Sequence, residues 1–215
     1  MKKYIYITDP RCFGDSSFSF SDVELEAVYP AYGDLTYDLK LVVTTPPMAE
    51  EKRAPFYNNY REVYGHADIA VLGAATANNS CKNILLNGFR QEHLDYIAPY
   101  IRDKVEVLYL FKCPKIKDLS ALAEMKHLKC LRIFWNTSLE TLWDMRKNEA
   151  LKIISFHMVS KLNNIEPLID SKVEYVCLDS MDNNGNMKPM LFDRAVLEKA
   201  PTIQHLILRY KKSNN

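Results

Sequence analysis

Residues 127–142, HLKCLRIFWNTSLETL, splice two apolar periods together. Leu128, Leu131 and Ile133 follow the spacing L-x-x-L-x-L, Asn136 comes next, and Leu139 and Leu142 then recur at threes. A strand asks for a period of two and a helix for about 3.6. So abrupt a change marks a chain that turns a corner.

The change recurs. VEVLYLFKC starts at Val105, LKCLRIFWN at Leu128, LKIISFHMV at Leu151, VEYVCLDSM at Val173 and IQHLILRYK at Ile203, at intervals of 23, 23, 22 and 30 residues. A weaker copy, CKNILLNGF, opens at Cys81, 24 residues before the first clear one. Apolar residues hold the first, fourth and sixth positions of every unit except for that opening cysteine. The expectation is a short strand per unit, with its apolar side chains pointing inward. The chain then returns across the back, through a tight 3₁₀-like or irregular path where apolar residues come every third position, as at Ile116, Leu119 and Leu122. Each unit buries its apolar side only against its neighbours, so the units stack. KPMLFDRAVLEKAP (188–201) carries Met190, Leu191, Val196 and Leu197 and reads as an α-helix on the convex side.

The pattern resembles the leucine-rich repeat family, L-x-x-L-x-L-x-x-N/C-x-L, over about residues 81–210. Cys113 and Asn136 match its ninth position, whereas Phe89, Val159, Met181 and Lys211 depart from it. The second halves of two units, KIKDLSALAEMKHL and KLNNIEPLIDSKV, look like the short internalin-type subclass. The resemblance implies an α/β solenoid with a parallel concave sheet and an irregular or 3₁₀ convex side, and protein–protein interaction as the function.

Residues 1–80 lack the repeat and are read as a mixed N-terminal cap of strands and one helix, preceding a repeat domain over 81–215. Tyr4–Ile7 and DLTYDLKLVV (34–43) read as strands. SFSFSDVELEAV is ambiguous between strand and a helix opened by Ser21-x-x-Glu24, and strand is preferred. PFYNNYREVYG reads as a helix, with Pro55 at its start, Phe56, Tyr60, Val63 and Tyr64 on one face and Gly65 as its stop; ADIAVLG (67–73) reads as a buried strand. A cap hides the open end of such a stack; a second functional module is the alternative for this segment.

Because side chains alternate on a strand, the third, fifth and seventh positions of each unit should face outward on the sheet. The third row reads Asn83, Val107, Cys130, Ile153, Tyr175, His205; the fifth Leu85, Tyr109, Arg132, Ser155, Cys177, Ile207; the seventh Asn87, Phe111, Phe134, His157, Asp179, Arg209. A merely solvated sheet would show Lys, Glu, Thr and Ser. Aromatics with an occasional Arg are instead the composition of an interface core. Tyr109, Phe111, Arg132, Phe134, Trp135, His157, Tyr175, Asp179, His205 and Arg209 are therefore the candidate partner-binding residues. His157, Asp179 and Arg209 would be a polar cluster that orients the partner. A second copy of the chain, making a homodimer, or cover by residues 1–80 would account for the same face.

Other chemistries find less support. Ser155, His157, Cys177 and Asp179 could be drawn as a hydrolase-type patch, but no nucleophile elbow or glycine turn offers an oxyanion hole, so no catalytic residue is expected. SMDNNGN (180–186), aligned as a calcium loop with Gly185 at position six, puts Leu191 where Glu is required. The five histidines form no zinc-binding spacing, and no phosphate-binding glycine motif occurs. No metal or cofactor is expected. Lys and Arg number 28 against 27 Asp and Glu, without the basic excess of a nucleic-acid binder. The N-terminal run stops at Asp9-Pro10, too short for a signal peptide, and no stretch suits a membrane span. Five cysteines with no C-x-x-C pair suit a reduced, cytoplasmic protein.

Overall fold

The structure, a computed structural model, describes residues 3–6, 39–43, 61–63, 82–181 and 186–211. Nine strands are described: β1 (Lys3–Tyr6), β2 (Leu39–Val43), β3 (Arg61–Val63), β4 (Asn83–Asn87), β5 (Val107–Phe111), β6 (Cys130–Asn136), β7 (Ile153–Val159), β8 (Tyr175–Asp179) and β9 (His205–Arg209). They form one sheet in the order β1-β9-β8-β7-β6-β5-β4-β2-β3, and every pairing is parallel. The architecture is α/β, and among the described residues the helices are α1 (Gln91–Ile101), the short α2 (Ala195–Lys199), and 3₁₀ turns at Ser120–Glu124 and Glu166–Leu168.

From β4 to β9 neighbours in sequence are neighbours in space, so each connection is a parallel crossover along one face of the sheet. The apolar periods of residues 127–142 explain that path. Leu128, Leu131 and Ile133 enter the core from the strand side, and Leu139 and Leu142 from the return. Leu108, Leu110, Ile154, Phe156, Val176, Leu178, Leu206 and Leu208 repeat the strand positions in the neighbouring units and share that core. At roughly 1.5–3 kcal/mol for each fully buried aliphatic or aromatic side chain, this one stripe is the main stabilising term.

The turn out of each strand has its own chemistry. Gly88, Lys112, Trp135 and Met158 all have positive φ, between 50° and 72°, and each stands at the eighth position of its unit. The backbone takes one left-handed step there, and the next residue, Phe89, Cys113, Asn136 or Val159, is buried. Asn136 is that next residue in the β6 unit. Its amide donates to the carbonyls of Cys113 (2.9 Å) and Ile116 (2.7 Å), while its oxygen accepts from the N–H groups of Ser138 and Leu139 (both 2.8 Å). Cys113, one unit earlier, directs its thiol at the carbonyls of Leu86 and Phe111, and burial pushes that thiol up to about 12. Asn148 plays a comparable part in the next return. It donates to the carbonyls of Leu122 and Met125 and accepts from the Trp143 indole at 2.8 Å.

The strand-entry side carries alternating charge. Glu106 lies between Lys82 (2.7 Å) and Lys129, and Lys152 meets Glu174 at 2.8 Å. The side-chain hydrogen bond from Lys129, then that from Lys82, holds the Glu106 carboxyl below the usual carboxylate range.

Several expectations change. Arg61–Val63 is strand, not helix: it pairs with Leu41–Val43, where ladder bonds and a β-branched Val63 outweigh the helical spacing of the aromatic residues before it. The rest of that proposed helix lies outside the described residues, as do SFSFSDVELEAV and ADIAVLG. Helix α1 was not expected; it buries Leu94, Ile97, Ala98 and Ile101 at helical spacing. The helix read over 188–201 is confined to Ala195–Lys199.

Candidate recognition face

The three outward rows assemble in register. Asn83, Val107, Cys130, Ile153, Tyr175 and His205 pair in succession, as do Leu85, Tyr109, Arg132, Ser155, Cys177 and Ile207. Asn87, Phe111, Phe134 and His157 pair in the third row, and Asp179 pairs with Arg209. All ten candidate residues belong to this face or its margin.

The β5–β6 part is aromatic. Phe111 and Phe134 stack at 5.2 Å, Tyr109 meets Phe111 edge-on at 5.8 Å, and the Arg132 guanidinium lies 4.6 Å over the Tyr109 ring. Such pairs add about 0.5–1.5 kcal/mol each beyond the area they bury. The Lys112 ammonium sits over both Phe111 (5.3 Å) and Trp135 (5.9 Å). At the other end Tyr175 stacks on His205 at 6.2 Å.

Between them lies a polar cluster. His157 Nδ1 is 2.6 Å from Asp179 Oδ2, and its Nε2 is 3.3 Å from Ser155 Oγ and 4.0 Å from Cys177 Sγ. Asp179 Oδ1 accepts from the N–H groups of Met158 (2.7 Å) and Met181 (3.3 Å), and Arg209 Nη1 stands 3.9 Å from Oδ2. Burial by itself would lower the His157 pKa, but the Asp179 charge, the neighbouring Cys177 and their hydrogen bonds outweigh it and push the imidazole up to about 10. Burial conversely raises Asp179, and the imidazolium, its hydrogen bond, the Met158 N–H and Arg209 together bring the carboxyl below its ordinary value. At neutral pH the ring is therefore an imidazolium. It donates to Asp179 through Nδ1 and to Ser155 through Nε2.

Exposure is where the face differs most from expectation. Tyr175, Asp179 and Arg209 are 1% exposed, Tyr109 and Phe111 4%, Arg132 5% and His157 8%. Phe134, Trp135 and His205 are half-buried. The middle of the face is thus buried within the chain, and only its margin meets solvent. Alternation along a strand settles which way a side chain points but not what lies above it.

The positive-φ column was missed, although Gly88 in register with Lys112, Trp135 and Met158 was its visible signal. Asn148 lies in a return, outside the fixed positions of the strand pattern, and left no such signal. An open depression of about 320 Å³ lies among the returns, lined by Asp144, Arg146, Asn164, Glu166, Pro167 and Asp170. None of these is a residue of the face. Among the described residues no group of three His, Cys, Asp or Glu is arranged to hold a metal ion, and no helix is long and apolar enough to cross a membrane. Comparisons of the chain with family models, with curated proteins and with solved structures found no match.

Proposed function

We propose that residues 81–215 form a leucine-rich-repeat-type solenoid and serve as a protein-recognition module. The one-strand units at four intervals of 22–24 residues and one of 30, the left-handed exit shared by four of them and the Asn136 seat support the solenoid reading. The recognition reading is carried by one observation: side chains from six adjacent strands stand side by side in register, aromatic with Arg132 at β5–β6, polar at His157 and Asp179, and aromatic again at Tyr175 and His205. A rigid sheet of this kind loses little conformational entropy on binding. The partner meets the face at its half-buried margin, where Phe134 and Trp135 stand beside Lys112.

A photo-crosslinking residue placed at position 135 of the full-length protein, in its cell of origin, tests this. A discrete protein adduct that is lost on Phe134→Asp, and absent when the probe stands at exposed Lys126, supports the reading. Equal labelling from both positions, or none, refutes it.

The Ser155–His157–Asp179 geometry favours a second reading, a hydrolase. Its chemistry argues the other way. A general base must be unprotonated near the working pH, whereas the imidazole here keeps its proton up to about pH 10. Ser155 and Cys177 are fully buried. A fluorophosphonate probe is expected to leave Ser155 unmodified in the native protein. Modification at Ser155 that disappears in His157→Ala would establish the hydrolase instead.

A further inference from the structure

The exits of β5 and β6 carry two side chains that the turn itself does not require. Gly88, Lys112, Trp135 and Met158 share the left-handed step, a region that glycine populates freely and that a Cβ disfavours. Gly88 shows that the turn closes without a side chain: its N–H donates to the Phe111 carbonyl at 3.1 Å, as that of Lys112 donates to the Phe134 carbonyl at 2.8 Å. A lysine and a tryptophan thus stand in this column against the preference of the backbone, and both are half-buried.

The Lys112 ammonium lies 5.3 Å from the centre of the Phe111 ring and 5.9 Å from that of Trp135. Ring faces attract the charge but supply no counter-charge. Among the described residues no carboxylate forms an ion pair with Lys112. The same exit continues through Lys115 and Lys117, both exposed and likewise without an ion pair among the described residues. Asp118 follows them, but its carboxylate already accepts from the N–H and the hydroxyl of Ser120 at 2.8 and 3.0 Å. On the strand-entry side, by contrast, Lys82, Lys129 and Lys152 each meet a carboxylate.

We infer that this exit rim is the contact for an acidic segment of a protein partner. A Glu or Asp side chain of the partner meets the Lys112 ammonium, a neighbouring apolar side chain lies on the Trp135 indole, and Lys115 and Lys117 attract the same segment. The inference rests on the recognition reading above and names the partner's chemistry. A half-buried ammonium makes a stronger ion pair than one in open water, and its seat between two rings orders it before binding. Three lysines make too short a run to hold a nucleic-acid backbone.

The test titrates the full-length protein with a fluorescein-labelled peptide of alternating Glu and Phe, with its Gln/Phe counterpart and with an oligothymidylate of similar length, read by anisotropy. The Glu/Phe peptide is expected to bind about tenfold or more tightly than the Gln/Phe peptide, to lose that margin in Lys112→Gln and to keep most of it in Lys112→Arg. Trp135→Gly is expected to weaken its binding as well. Lys112→Gly is expected to weaken it equally while the urea unfolding midpoint stays unchanged or rises, because glycine suits the left-handed step. Equal affinity for the two peptides, no binding of either, or an unchanged affinity in Lys112→Gln overturns the inference. Tighter binding of the oligothymidylate overturns it too and assigns the rim to nucleic acid. A lowered midpoint with unaltered peptide binding in Lys112→Gly makes the lysine structural and has the same effect. If the inference falls while the discrete adduct from position 135 persists, the recognition reading stands and only the acidic contact is lost.

Discussion

At the residue scale His157 and Asp179 decide how the interior tolerates charge. A carboxylate and an imidazole taken out of water are costly apart and tolerable only as a hydrogen-bonded pair. Here the pair is 2.6 Å apart, with two backbone N–H groups completing the carboxylate. Removing one partner strands the other, so Asp179→Ala is expected to cost about 3–5 kcal/mol in urea unfolding. The pair also sets a pH signature. The folded His157 pKa, about 10, stands above the ordinary 6.5. Its stabilisation is fully present below about 6.5 and is lost as pH rises through 10. Asp179, whose folded pKa is lowered, contributes above its ordinary 3.8 and loses that contribution on acidification below it. Unfolding midpoints compared between the natural chain and His157→Gln are expected to converge from pH 7 to pH 10. A difference that stays constant across that range would show that His157 does not carry the charge.

At the element scale the turn out of each strand holds neighbouring units together. Asn136 satisfies two carbonyls and two N–H groups that would otherwise be buried at the corner. Its loss in Asn136→Ala leaves carbonyls of the preceding unit without that donor, and about 3 kcal/mol of destabilisation is expected from denaturant titration. A loss under about 0.5 kcal/mol would mean that water or a neighbour replaces it. This seat was legible because Asn136 follows the strand pattern at a fixed offset. The rows of the face were legible for a related reason: period-two alternation and a constant repeat phase together fix which residues stand side by side. Arg61–Val63 was not, because its strand depends on pairing with a segment some twenty residues away, which local spacing does not encode. Helix α1 carried its signal in Leu94, Ile97, Ala98 and Ile101, but the strand repeat dominated the reading of that unit.

At the scale of the whole molecule, strands from residues 1–80 extend both ends of the repeat sheet. β1 pairs with β9 through Lys3–Tyr6 and His205–Leu208, while β2 and β3 continue beyond β4. No local pattern in the sequence points to this placement, because strand neighbours that close over long separations are chosen by topology rather than period. The same is true of the buried face: the aromatic rows were readable, their cover was not. β1 protects the backbone edge of β9. Deleting residues 1–6 is expected to speed amide exchange in β9 by about tenfold or more while leaving β6 protection unchanged. Unaltered exchange in β9 would mean that β1 contributes nothing to that end.

The recognition reading depends on neighbouring units being in register. Nuclear Overhauser spectroscopy of the full-length protein reads that register directly, through contacts from the Phe111 ring to Phe134 and from the Tyr109 ring to Arg132. Both cross-peaks are expected. A well-folded spectrum that lacks them, with those side chains in contact with unrelated residues, would contradict the shared face and the function proposed for it.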